Sequence, residues 1–418
     1  MIRIIRTYDP WILSFALAAT FLGLIFIFDA GYARALKTDH NSLPPEFKSQ
    51  LLFLVAAAIT TILTSAIRVE FFRKWSKLVW LVNIGALVAV MIFGQRLNSA
   101  TRWFGIGQFT IQPGEFAKLA VVIYLAGYFA HRKAWPDKIK PQPTWVLTVD
   151  NIWIPKLKRI MPAVWVLCAA VLVEVEPDLG TAAVIAVTGF AMFLPGGVSR
   201  KSLVAAVLIA ILGAGLATIK EPYRVQRFLD HPNRWTTRNI DDTEYQTVQA
   251  ELAIASGGAK GVGLGIGRGK QVLPATTTDF IMATVGEETG LWGSLGVLLV
   301  LGGLVFRLFY LAKRAPTQFG MLVLYGVGMW IGVQTCVNMM MANAFLPAIG
   351  IPIPFISSGG SSLVALWMAI GVCQAALRPE PVKEPAPVVA GNQELKDNWA
   401  RGGRSVPVLS TNYRGRLL

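Results

Sequence analysis

An acid set between a glycine-rich loop and a hydrophobic run is the residue of this chain whose surroundings most suggest chemistry. Asp279 closes the polar, glycine-rich stretch that begins at Tyr245, follows Arg268 and Lys270, and directly precedes the apolar run that opens Ile281-Met282-Ala283. A carboxylate there is a candidate general base; Asp is also a common helix N-cap, and the two roles are compatible. The glycines from Gly257 to Gly269 do not make a Walker A loop, because Leu264 stands where Gly is needed and Gln271 follows Lys270 where Ser or Thr is needed. A loop that closes over a substrate is the functional expectation for them, a structural turn the plainer one.

Three further polar clusters interrupt the apolar pattern. The first is Arg102-Trp103, then Gln112-Pro113-Gly114-Glu115 and Lys118. Glu115 and Lys118 stand three apart on one helix face, and an acid and a base inside a membrane helix are costly unless paired. The pair is open to a structural or a functional reading. The second cluster is Glu176-Pro177-Asp178-Leu179-Gly180-Thr181. The last is Pro347, Gly350, Pro352 and Pro354 followed by Phe355-Ile356-Ser357-Ser358-Gly359-Gly360-Ser361-Ser362, which cannot be a continuous helix and must line a cavity or pack against protein. Upstream of Asp279, Pro222-Tyr223-Arg224 and Arg227-Phe228-Leu229 add cations and aromatic residues.

The elements that must position these groups are apolar. Of 418 residues, 54% are hydrophobic and 15% charged, in long unbroken blocks that mark an integral membrane protein. Ten blocks are candidate helices: roughly 11–28, 51–67, 78–93, 116–129, 161–175, 179–194, 203–219, 281–311, 319–341 and 362–377. Several fall short of the about 20 residues a span needs, so their polar ends are expected in protein-lined cavities. The fold expected is an all-α polytopic membrane protein of about ten transmembrane helices with broken helical segments. Residues 1–377 form its membrane domain, and 220–280 form one long extracytoplasmic loop.

The net charge of +15 sits in the loops. No basic stripe is interleaved with stacking aromatics, so a nucleic-acid partner is not expected; the charge fixes orientation against anionic lipid. With both termini inside, Arg73-Lys74, the segment from Arg132 to Arg159, Arg200-Lys201, Lys313-Arg314 and the tail are all cytoplasmic, and Asp279 lies outside. The first block, preceded by Arg3 and Arg6, exceeds the core of a signal peptide and reads as an uncleaved helix despite Ala33-Arg34-Ala35 beyond it. Residues 378–418, rich in Pro, Glu, Ala, Gly and Arg, read as a disordered cytoplasmic tail. Cys168, Cys336 and Cys373 lie apart in apolar blocks, and His40, His131 and His231 have no ligand-spaced partners, so neither a disulfide framework nor a metal site is expected.

In order, these clusters resemble the SEDS family (shape, elongation, division and sporulation), the FtsW and RodA type of bacterial cell-wall polymerase, from the first helix to about Leu377. The resemblance implies a peptidoglycan glycosyltransferase of the bacterial cytoplasmic membrane. Such an enzyme polymerises lipid II at the outer face, with a class B penicillin-binding protein and other division or elongation proteins as partners. The family's catalytic acid falls on Asp279 within Leu273-Pro274-Ala275-Thr276-Thr277-Thr278-Asp279-Phe280; its Gln-Pro-Ser-Glu pattern falls on Gln112 to Glu115, and its Pro-Asp-x-Gly-Thr on Pro177 to Thr181. Gly286-Glu287-Glu288 also matches, and Arg268 and Lys270 look more like FtsW than RodA. Ala275 and Thr277 stand where the family usually has Glu and His, Ser358 where Tyr is common, and Gly114 where Ser is. Glu115 and Lys118 are therefore expected to tune Asp279 from across the cavity.

On that resemblance, a sugar hydroxyl attacks an anomeric carbon while lipid pyrophosphate departs, which needs a base and a charge sink. Asp279 is the candidate base. Arg102, Arg224, Arg227, Arg268, Lys270 and Lys118 are the cationic pool, with Glu115 and Ser361 as further substrate-binding candidates. A divalent cation, magnesium or manganese, on Asp279 or Glu115 is an alternative sink; no other cofactor is expected. A flippase for the lipid-linked precursor and an inactive division scaffold are the competing readings.

Overall fold

The computed structural model describes residues 8–38, 43–97, 100–106, 109–131, 154–198, 200–240, 242 and 244–379. The proposed tail from residue 380 on, the basic segment from 132 to 153, Arg3, Arg6 and His40 lie outside them. The described residues fall within one compact unit, Met1–Pro379.

A helix stands at each of the ten apolar blocks: α1 Pro10–Thr38, α2 Pro45–Ala66, α3 Val69–Phe93, α4 Pro113–Ala130, α5 Ile154–Val175, α6 Leu179–Ala191, α7 Arg200–Lys220, α12 Ile281–Ala312, α13 Gln318–Ala342 and α14 Gly360–Ala376. Between α7 and α12 lie the shorter α8 Pro222–Asp230, α9 Thr237–Ile240, α10 Tyr245–Gly257 and α11 Gly269–Val272. About half of the segment expected as one long loop is thus helical, with Pro222 in the first turn of α8 and Gly258 at the end of α10. Among the described residues five helices, α1, α2, α3, α12 and α13, are long and apolar enough to cross a membrane.

Three of the shorter helices, α4, α6 and α14, are stabilised by protein rather than lipid. Helix α4 is buried along almost its whole length, with α3, α13, α6 and α14 packed around it. The outer helices turn apolar side chains away from protein: Phe21, Ile62, Ile92, Leu212, Leu299 and Phe306 are 64–74% exposed. Such surfaces suit a bilayer, where they meet hydrocarbon instead of water.

Apart from the helices, a small antiparallel sheet joins α3 to α4. Strands β1 Gln95–Leu97, β2 Ala100–Ile106 and β3 Phe109–Ile111 pair in that order, with Gln95 opposite Trp103 and Phe104 opposite Ile111. The apolar-block pattern gave no sign of it, because strands this short carry too few residues to show a period of two. Its role is positional: β2 carries Arg102 and Trp103, and β3 hands the chain to Gln112 and Pro113, where α4 begins with Pro in its first turn.

Candidate active site

The start of α12 presents Asp279 without using it as a cap. The N-cap is Phe280, which receives no side-chain cap bond, and no hydrogen bond joins the Asp279 carboxylate to another described residue. Ala275, four residues earlier, is held at φ +55°, and its carbonyl accepts from the N–H groups of Thr278 and Phe280. A non-glycine residue in that region carries strain of order 1 kcal/mol, which the surrounding contacts must overcome. The tight turn ends on the acid.

Asp279 stands between two cavities, of about 310 and 410 Å³. Arg102, Asp178, Asp279 and Gly350 belong to both walls. The smaller is cationic and aromatic, with Tyr223, Arg224, Arg227 and Gln246; the larger is hydroxylic and acidic, with Trp103, Thr110, Gln112, Thr181, Ser358 and Ser361, plus Glu115 beside the shared Asp178 and Asp279. All four polar clusters of the sequence meet here. Gly350, at φ +79°, passes close enough that an added Cβ would lie 3.5 Å from Asp279 Oδ2, so the wall opposite the acid is bare backbone.

The electrostatics of Asp279 come from different neighbours than the sequence suggested. Burial, then the negative charge of Asp178, push its carboxyl from 3.8 up to about 6, against the opposing pull of Arg102. Glu115 and Lys118 do not supply that tuning. Asp178 itself caps α6 by accepting from the Thr181 N–H at 3.0 Å and takes a bond from Gln112 Nε2 at 2.9 Å. Neighbouring Glu176 is pushed up to about 8 by burial and by Asp178, so it is mostly neutral at pH 7.

The other named residues separate into groups. Arg102 ties the α5–α6 turn, donating from Nε to the Glu176 carbonyl at 2.7 Å and to the Pro177 carbonyl, while lining both cavities. Arg224 pairs with Glu174, and Arg227 donates to the Ala348 carbonyl at 2.5 Å; both line the cationic cavity. Ser361 accepts from the Gln112 N–H at 2.9 Å and donates to the Thr110 carbonyl at 3.2 Å, at the mouth of α14.

Lys118 is not part of the cavity walls. Its ammonium is buried against Glu115 Oε1 at 2.8 Å, Gln334 Oε1 at 3.1 Å and the Trp330 ring at 5.7 Å. Glu115 lines the larger cavity, and its Oε2 has no hydrogen-bond partner among the described residues. Pairing with Glu115 offsets the cost of burying the Lys118 charge.

Arg268 and Lys270 also lie away from Asp279. Lys270 is buried between Asp29 at 2.7 Å and Glu288 at 2.7 Å, and Arg268 is exposed with neither cavity beside it. Glu288 accepts from the N–H groups of Gly265 and Gly267, and Glu287 from those of Arg268 and Gly269. The glycine-rich loop is therefore latched onto α12 by two carboxylates rather than left open to close on a substrate. Gly261 permits this: a Cβ there would lie 2.1 Å from the Glu288 carbonyl oxygen.

Among the described residues no group of three or more His, Cys, Asp or Glu could hold a metal ion, and Glu115 Oε1 already faces Lys118. The side chains present do not make a resident metal cage.

Residues 10–380 match the family model described as "Cell cycle protein", that of FtsW, RodA and SpoVE. The chain belongs to that family. It is 31% identical over 387 residues to the "Probable peptidoglycan glycosyltransferase FtsW" of Bacillus subtilis, covering 88% of this chain and 90% of that one. It is 36% identical over 304 residues to the protein of the same name in Allochromatium vinosum, covering 70% and 71%. Both names fall on the FtsW side, as Arg268 and Lys270 suggested. In fold it is similar to a chain of a structure described as "Structural coordination of polymerization and crosslinking by a peptidoglycan synthase complex" (TM-score 0.69, 24% identity, 88% of this chain and 97% of that). It is similar also to the rod shape determining protein RodA of Thermus thermophilus (TM-score 0.62, 24% identity, 88% and 96%).

Two residues of the FtsW/RodA/SpoVE fold escaped the sequence reading although a signal was present. Gln334 and Asn338 stand four apart in α13, an otherwise apolar helix, and share one face. Gln334 accepts from Lys118 and Trp330 and donates to the Pro352 carbonyl at 2.8 Å.

Proposed function

We propose that the chain is a peptidoglycan glycosyltransferase that polymerises lipid II at the outer face of the bacterial cytoplasmic membrane, with Asp279 as general base. The observation that carries the reading is a carboxylate without a hydrogen-bond partner among the described residues, raised to about 6, between a cationic and a hydroxylic cavity. At pH 7 such a group is about nine-tenths ionised yet close enough to the ambient pH to accept a proton efficiently. In the step proposed, the acceptor hydroxyl oxygen bonds to the anomeric carbon of the donor. The bond from that carbon to the pyrophosphate oxygen breaks, the hydroxyl proton passes to Asp279, and lipid pyrophosphate leaves with the electron pair.

The charge distribution supports one assignment of the cavities. Arg102, Arg224 and Arg227 suit the pyrophosphate, whose negative charge grows in the transition state. Thr110, Gln112, Ser358, Ser361 and Trp103 suit the hydroxyls and the face of a sugar. Arg102, common to both walls, would sense the leaving charge directly. The flippase reading drew on Glu115 and Lys118 as a translocation path, and their mutual burial removes that support.

We further assign the termini to the cytoplasm and Asp279 to the outside, since Lys313-Arg314 and Arg73-Lys74 stand on the ends of helices opposite the Asp279 end. A class B penicillin-binding protein is the proposed partner. The test is reconstitution of the purified chain with that partner on lipid II, with and without EDTA, reading glycan products. Polymer formation supports the reading, and its loss on chelation shows that a magnesium or manganese ion shares the charge. Lipid II flipping without polymer contradicts the reading in favour of a transporter, and partner binding with neither activity contradicts it in favour of a scaffold.

A further inference from the structure

The Asp279 carboxylate is held in place through its backbone, because no hydrogen bond to another described residue reaches its oxygens. Three consecutive carbonyls leading to it are fastened, two by the Ser357-Ser358 strip and the third by Asn338 of α13. The Ser358 N–H donates to the Thr277 carbonyl at 2.8 Å, Ser357 Oγ donates to the Thr278 carbonyl at 2.6 Å, and Asn338 Nδ2 donates to the Asp279 carbonyl at 2.9 Å. The same Asn338 Nδ2 donates to the Ile351 carbonyl at 2.7 Å, next to Gly350 in the cavity wall facing the acid. Asn338 is fully buried on α13. One amide group thus bridges the segment that carries the acid and the segment that bounds its cavity.

We infer that Asn338 is a positioning residue that sets the aim of Asp279, with Ser357 holding the preceding carbonyl. The inference rests on the reading of Asp279 as base. A side-chain amide is suited to the task because its two N–H groups diverge and can serve two carbonyls at once. Asp at 338 would set an acceptor against two acceptors, and Leu would fill the space while leaving both carbonyls unbonded. A shift of about 1 Å in a reacting group can cost about 100-fold in rate, so the bridge acts on turnover rather than on substrate affinity.

The experiment is steady-state polymerisation of lipid II by purified Asn338→Leu, Ser357→Ala and Asp279→Asn proteins, normalised to the folded fraction. For Asn338→Leu the expected result is a kcat lower by about 100-fold with KM within about twofold. For Ser357→Ala, which removes one hydroxyl and is the milder change should Asn338→Leu fail to fold, kcat falls by about tenfold with KM unchanged. A residue that served only stability would lower yield and melting temperature while folded molecules kept the wild-type kcat. That outcome in Asn338→Leu, or in Ser357→Ala if only it folds, overturns the inference while an inactive Asp279→Asn leaves the base assignment standing. An Asp279→Asn protein that polymerises normally overturns both.

Discussion

If Asp279 is kept ionised in a site that disfavours its charge, replacing it with Asn should stabilise the protein while removing its activity. The carboxyl rises from 3.8 to about 6 in the folded chain, which corresponds to about 3 kcal/mol at about 1.4 kcal/mol per pH unit. Below 3.8 the acid is protonated both folded and unfolded and contributes nothing. Between 3.8 and about 6 the unfolded chain ionises first, so wild-type stability falls as pH rises, and above about 6 the deficit is constant. Asn does not titrate and keeps the shape. Unfolding of Asp279→Asn and wild type should therefore be compared in lipid nanodiscs at pH 4 and pH 7.5. The expected gain is near zero at pH 4 and about 3 kcal/mol, several degrees in midpoint, at pH 7.5. A variant less stable than wild type at pH 7.5, or a gain equal at both pH values, would refute the argument that burial and Asp178 strain this charge.

Polymerisation should rise with pH through about 6 and then level, losing about tenfold between pH 7 and pH 5 as Asp279 is protonated; a rate unchanged down to pH 5 would contradict the base assignment. Lys118→Met should cost about 3–5 kcal/mol by leaving Glu115 charged and unpaired in the interior, and Glu115→Gln added to it should recover most of that. Equal instability of the single and double variants in denaturant unfolding would show that the ion pair is not the cause. Lys270→Met leaves Asp29 and Glu288 without their shared cation, and limited proteolysis should then cut within Gly258–Gly269 faster than in wild type; an unchanged rate argues against the latch.

The architecture was legible because a bilayer-spanning chain writes its helices as apolar blocks, and a helix stands at each of the ten. Convergence of the four polar clusters was legible too, since broken, polar backbone in such a chain must line a cavity. What escaped was direction. Arg268 and Lys270 have the sign a pyrophosphate needs, but a charge in sequence does not show which carboxylate it will meet, and Lys270 meets Asp29 from a helix 241 positions earlier. The neighbours that tune Asp279 were hidden for the same reason: Asp178 is 101 positions away in sequence and is brought close only by the α5–α6 turn that Arg102 fastens. Asn338 was missed because one amide in an apolar run looks like tolerance, whereas its spacing from Gln334 marks a polar face turned inward.

In the proposed reaction a single carboxylate, Asp279, takes the proton from the attacking sugar hydroxyl. Its most direct test is lipid II polymerisation by purified Asp279→Asn protein with its transpeptidase partner, beside wild type at pH 7.5. No detectable glycan polymer is expected, with expression, partner binding and folding intact and stability raised. Glycan chains formed at the wild-type rate by that variant would contradict it.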